Sequence, residues 1–291
     1  MERHLLVTVS EDQSYLWGVR FVGDFFAHKQ DLRFTLFYTA PRPAEVWGEE
    51  RSYETLKLAE EMERHTKERG RAALERAKEV LCHLGAEPDQ VNTKLILRRH
   101  SKFMDILQEG AKGLYDAVVL GRRAMLWLEE SIQGSVTKSI FEGESSSPIW
   151  LCKRPEHRRR NVLACVDGSA AAERIVDHVG FILAKEPAHA ITLLTVIQAK
   201  GKGTRDPDEV LARARDILHM NDIPDARIGT RVEQSTDPAK TILTAAEQDK
   251  FAAVAVGRTG VGKGLLARLL IGSVSETLFK RLDNAALFVC R

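Results

Sequence analysis

The chain has 291 residues, 44% of them hydrophobic and 29% charged, which fits a water-soluble globular protein of about two domains. A formal net charge of +2 supplies no polyelectrolyte surface and argues against nucleic acid as a partner. No apolar run reaches the roughly 18 residues that span a bilayer and the start MERHLLVTVSED carries no leader, so the expectation is a cytoplasmic protein without membrane contact.

In chain order, His4 to Val9 (HLLVTV) reads as a buried strand and the stretch from Leu16 to Lys29 as a helix. Leu32 to Ala40, rich in aromatic and branched residues and stopped by Pro41, is a second strand. Tyr53 to Leu84 carries Leu, Ala and Met at helical intervals and ends at Gly85, a C-cap residue. Val91 to Arg99 is a third strand, Lys102 to Gly113 a helix, and Asp116 to Leu120 a fourth strand. A helical stretch follows from Gly134, and Pro148 to Lys153 is a fifth strand. Strand and helix alternate, the pattern of a parallel sheet with helices on both faces.

The charged run Arg154-Pro155-Glu156-His157-Arg158-Arg159-Arg160 breaks the alternation, and NVLACVDGS starts it again, dividing the chain at 1–155 and 156–291. HLLVTVS and NVLACVD align at an offset of 157 residues, as do FTLFYTA and ITLLTVI. Gly134-Ser135 and Gly272-Ser273 each precede a cysteine, Cys152 and Cys290, by 18 residues counted from the glycine. The chain is a tandem repeat of one α/β unit. Its four cysteines form no CxxC pair or zinc-type cluster and read as buried free thiols. No catalytic triad, paired carboxylates or metal-ligand cluster stands out, and the histidines are scattered singly.

Chemistry concentrates in Val254 to Glu276, where an apolar run gives way to Gly257, Gly260, Gly262 and Gly264, and Gly272-Ser273 then opens a helical pattern. Backbone amides freed by glycine and by a helix start can hold phosphate. Gly257 to Gly264 also matches the P-loop spacing, but Gly264 replaces the Ser/Thr that binds magnesium and the loop follows the fourth strand of its unit, so that reading is dismissed. Lys263 reads as a surface lysine.

Val166-Asp167-Gly168-Ser169 after one strand, Leu194-Thr195-Val196 ending the next, and Gly257-Arg258-Thr259-Gly260 with Gly272-Ser273 beyond together resemble the universal stress protein family, twice over the chain. The resemblance implies two tandem Rossmann-like domains of the adenine nucleotide alpha hydrolase type, each a five-stranded parallel sheet of order 3-2-1-4-5, with ATP and magnesium at the C-terminal strand ends. It implies Asp167 and Gly168 beside the adenosine, the Val196 backbone bordering adenine, and Gly257, Arg258, Gly260, Gly272, Ser273, Val274 and Ser275 around ribose and phosphates. Eleven residues separate Gly260 from Gly272, two more than the family pattern.

The first copy departs from that pattern: Ser10 replaces Asp167, Ala124 replaces the second glycine, and Glu129 and Glu130 stand in the loop, so it is expected to bind ATP poorly. Trp127 with Leu126 and Leu128 is expected to fill the vacated space or an interface. The two units are expected to form an intramolecular pseudo-dimer through their fifth strands around Leu151 and Phe288, covering two sheet edges. The implied role is a nucleotide-responsive stress protein with slow hydrolysis at most, with a protein partner or a further homodimer possible in the family. The alternative is a nucleotide-independent scaffold if the two extra residues abolish binding, or more remotely an ATP-using hydrolase or transferase.

Overall fold

The computed structural model describes residues 2–12, 16–42, 53–121, 147–154, 156–198, 206–257 and 273–290. The first half contains β1 (Arg3–Thr8), α1 (Trp17–Phe25), β2 (Leu32–Ala40), α2 (Tyr53–His83), β3 (Val91–Leu97), α3 (Lys102–Gly110), β4 (Ala117–Gly121) and β5 (Ile149–Cys152). The second contains β6 (Val162–Cys165), α4 (Ala170–Leu183), β7 (Ile191–Gln198), α5 (Pro207–Met220), β8 (Ile228–Ser235), α6 (Pro238–Gln248), β9 (Ala253–Gly257), α7 (Ser273–Arg281) and β10 (Ala286–Cys290). The helix expected from Gly134, and the contacts expected of Trp127, lie outside the described residues.

Local chemistry accounts for the boundaries. Helix starts in the second half are supplied with side-chain acceptors: Ser169 Oγ accepts from Ala172 N at 3.2 Å, and Asp237 Oδ1 from Lys240 N at 3.0 Å with Pro238 following. Strand β2 is buried at all but one position, as a central strand with helices on both faces must be. Helix α1 stops earlier than its apolar pattern suggests because Phe26 turns into extended backbone and stacks on Trp150 of β5.

The strands form one ten-stranded sheet in the order β3-β2-β1-β4-β5-β10-β9-β6-β7-β8. Each half reads 3-2-1-4-5 and is parallel, and the halves meet where β5 pairs antiparallel with β10, Leu151 opposite Leu287 and Trp150 opposite Phe288. The register is the same in both halves: Leu5 pairs with Phe34, and Val162, 157 positions on, pairs with Ile191. Helices α1, α2, α4 and α5 cover one face and α3, α6 and α7 the other, each over its own apolar layer. All four cysteines are free, and Cys152 lies opposite Ala286, so it does not meet Cys290 across the seam.

An aromatic cluster fills the junction. Trp150, fully buried, stacks on Phe288 with centroids 4.1 Å apart and donates its indole N–H to His178 Nε2 at 3.0 Å. Phe25 meets the ring of His189 at 4.7 Å. Burial pushes His178 down to about 3 and His189 to about 4 from an ordinary value of 6.5. The unfolded chain therefore binds more protons than the folded one between about pH 6.5 and 4, and stability falls as pH drops through that window. Each histidine contributes a slope of up to about 1.4 kcal/mol per pH unit. Thermal melts at pH 7 and pH 5 measure it, and His178→Gln, whose amide oxygen still accepts from the indole, flattens it.

Candidate functional site

In the second half the strand order reverses between β6 and β9, and ligands of open α/β sheets bind at the carboxyl ends of strands flanking such a point. Asp167, Gly168 and Gly257 are brought together there, since Cys165 at the end of β6 pairs with Val256 beside Gly257. Strand β7 continues past its last pairing with β6 at Leu194, so Val196 lies beyond the end of β6 with one backbone edge paired to Glu233 of β8. The side chain of Val196 packs into the layer under α6 and α7.

Asp167 is exposed, and its Oδ1 accepts from Ser169 N at 2.9 Å, the turn geometry of an aspartate that ends a strand. Gly168 follows at φ +76°, a left-handed conformation that favours glycine, and Ser169 caps α4. The turn thus holds a carboxylate at the sheet end while pointing the first amides of α4 along the same side. Burial, with the Asp167 charge adding to it, pushes the neighbouring Cys165 thiol up to about 12, so it stays protonated.

Gly257 has a packing reason to be glycine. A Cβ there would stand 2.4 Å from the backbone carbon of Ala171 and 2.4 Å from the nitrogen of Ala172, so the end of β9 presses directly on the first turn of α4. Gly257→Ala is expected to destabilise by about 1–3 kcal/mol, because the obstruction is helix backbone and cannot rotate away. Chemical denaturation of the variant checks this. In α7, Ser273 is exposed and its carbonyl accepts from the Thr277 hydroxyl at 2.7 Å, Val274 is half-buried, and Ser275 is buried. Arg258, Gly260 and Gly272, with the lengthened spacing between those glycines, lie outside the described residues.

The corresponding corner of the first half is closed by its own side chains. Tyr38, 4% exposed, donates its phenol O–H to Glu11 Oε1, and Arg69 of α2 stands 4.0 Å from the other oxygen of Glu11. Ser10, where Asp167 stands in the repeat, donates to the carbonyl of Asp12 at 3.2 Å. Sequence reasoning singled out Ser10 and missed the Tyr38–Glu11 pair. The repeat offset held the signal, because the same positions in the second half are Thr195 and Gly168. Ala124, Glu129, Glu130 and Ser135 lie outside the described residues.

With this geometry in place, the comparison with known proteins is specific for one half. Residues 158–289 match the model of the universal stress protein family. Over the second half, similarity in sequence to that family therefore coincides with the strand order described above. No curated protein matches the chain. A putative universal stress protein from Pseudomonas aeruginosa UCBPP-PA14 is 16% identical with a TM-score of 0.52, covering 99% of this chain and 93% of that one. A functionally unknown protein from Pseudomonas aeruginosa PAO1 gives the same identity and TM-score over 99% and 92%. These two share the fold across both halves. A universal stress protein solved in complex with cAMP is 23% identical over 46% of this chain and 97% of its own, with a TM-score of 0.38. Among the described residues no helix is long and apolar enough to cross a membrane, and no group of His, Cys, Asp and Glu is placed to hold a metal ion.

Proposed function

We propose that the chain is a tandem universal stress protein that binds one ATP, through its second domain (156–291), while the first domain (1–155) serves as a non-binding partner. The observation that carries this reading is the contrast between two equivalent corners of one repeat. In the second half Asp167, at the strand-order reversal, is exposed and bonded only to Ser169 N among the described residues, whereas in the first half Tyr38 donates to Glu11. The family match of residues 158–289 supports the nucleotide class.

In this reading Asp167 holds the adenosine side through its second carboxylate oxygen, the Val196 backbone borders the base, and Gly257, Arg258, Gly260 and the segment Gly272 to Ser275 surround ribose and phosphates. The charge on Asp167 disfavours phosphate at that end and so orients the nucleotide. Magnesium would accompany the triphosphate. Bound nucleotide favours one conformation of the chain over another, and the affinity difference between the two sets the size of the response. Calorimetry should give one ATP per chain, weakened about tenfold or more by Asp167→Ala and by Gly260→Glu. Two equivalent sites, or unchanged affinity in both variants, would overturn the proposal.

A further inference from the structure

Between α1 and the end of α2 opens a cleft of about 700 Å³, a volume that suits a small molecule. Both helices end beside it and the chain turns back there into β2 and β3, so it lies at the amino ends of the strands, remote from Asp167. Arg20 and Asp24 line it from α1 and Glu79 and His83 from α2, while Val80 and Leu84 give it apolar surface. His157 of the connecting segment completes the lining. The side chains of Arg20, Glu79 and His83 make no hydrogen bond or ion pair with another described residue.

The second half bridges the equivalent place with its own side chains. Helix α2 ends with Ala86 N donating to Leu81 O at 3.2 Å, and α5 with Ile223 N donating to Leu218 O at 3.1 Å, 137 positions on. Leu84 therefore corresponds to Asn221, and each touches the equivalent glycine: a Cβ on Gly23 would stand 2.5 Å from Leu84 Cδ1, and one on Gly180 2.8 Å from Asn221 Cβ. Asn221 Nδ2 donates to Asp177 Oδ1 at 2.9 Å and to Ile217 O at 3.1 Å, tying α5 to α4. Across the repeat Asp177 becomes Arg20, Phe181 becomes Asp24 and Met220 becomes His83. The bridge and an apolar ring are gone from the first half, and charges of both signs stand where the cleft opens.

Asp24 is the most buried of these charges, 24% exposed, and its Oδ2 lies 3.2 Å from Nδ1 of His157, whose imidazole is 73% exposed. Burial raises the Asp24 carboxyl above its ordinary pKa and His157, Lys29 and Arg20 oppose the shift, so its charged form gains from a further cation. We propose that this cleft binds a small zwitterion of amino-acid type, its ammonium on Asp24 and Glu79, its carboxylate on Arg20 and His83, and its apolar side chain on Val80 and Leu84. Two sources share this chemistry: a free amino acid, and a short peptide with both ends free. The inference does not rest on the nucleotide reading above.

NMR titrations of the full chain with leucine, its N-acetyl and amide derivatives, and the dipeptide leucyl-leucine test the proposal. Leucine is expected to shift the methyls of Val80 and Leu84 and the ring signals of His83 and His157 saturably, and each derivative, which lacks one charge, to bind about tenfold more weakly. Tighter binding of the dipeptide assigns the cleft to peptides, and tighter binding of leucine assigns it to a free amino acid. Asp24→Asn should weaken leucine about tenfold. The double variant Arg20→Asp, Leu84→Asn installs the bridge of the second half and should abolish binding with the melting temperature kept. Absence of saturable shifts with both leucine and the dipeptide, equal binding of leucine and its derivatives, or binding unchanged in the double variant would overturn the inference. Absence of ATP binding with the leucine response intact would sink the functional reading alone.

Discussion

Trp150→Ala lowers the unfolding free energy by about 3–5 kcal/mol, the cost of emptying a fully packed aromatic position. The indole is fully buried, stacks on Phe288 of the other half, and meets Phe21, Phe25 and Phe26 within 6.2 Å. Its removal also strips His178 of the N–H donor it accepts from, leaving a buried ring nitrogen unsatisfied. Urea denaturation measures the total. Trp150→Phe separates the terms, since it keeps most of the ring packing and loses the hydrogen bond; it should cost clearly less than alanine. A cost below about 1 kcal/mol for the alanine variant would mean that the halves do not depend on this seam.

That seam was legible in outline. The alignment of the two repeats and the apolar runs IWLC and ALFVC suffice to predict fifth strands that pair around Leu151 and Phe288, and the register bears the pairing out. Strand order follows from alternation and the right-handed crossover. The histidines show where one-dimensional reading stops. Scattered singly, His157, His178, His189 and His219 look alike in sequence, yet the structure buries His178 and His189 at the junction while His157 and His219 stay exposed beside Asp24 and Asp225. Burial is set by contacts 28 to 164 residues away, such as His178 with Trp150 and His189 with Phe25, which no local pattern encodes.

The candidate site was legible at the motif level and misleading in detail. Asp167 was expected as a ligand contact, and the structure gives it a strand-ending turn hydrogen bond as well, which engages only one carboxylate oxygen. Gly257 looked like a phosphate glycine, but its missing Cβ is already required by Ala171 and Ala172. Conversely Tyr38 and Glu11 looked like ordinary strand and loop residues, and only comparison with Thr195 and Gly168 shows that the first half carries a side-chain pair the repeat does not reproduce. In a tandem repeat the informative positions are those where equivalent residues differ in volume and charge.

Glu186→Ala is expected to cost about 3–5 kcal/mol, the penalty for stranding a buried charge. Glu186 is fully buried and accepts from the backbone N–H groups of Ala27 at 2.9 Å and His28 at 3.3 Å, so it satisfies the chain where α1 ends in the other half. Arg3, 2% exposed, reaches within 3.9 Å of the same carboxylate and donates to Ile182 O at 2.6 Å. Burial lowers the pKa of Arg3 and of Lys29, and the Glu186 charge opposes both shifts. Without Glu186, Arg3 and Lys29 of the first half lose the carboxylate that contributes most to offsetting their burial. The double variant Arg3→Met, Glu186→Leu removes charge from both sides and should recover much of the loss, because a buried pair contributes little net stability while half a pair is costly. Unfolding free energies of Arg3→Met, Glu186→Leu and the double close the cycle. Additive losses would show that Arg3 and Glu186 act independently, and recovery in the double shows one coupled unit joining the halves.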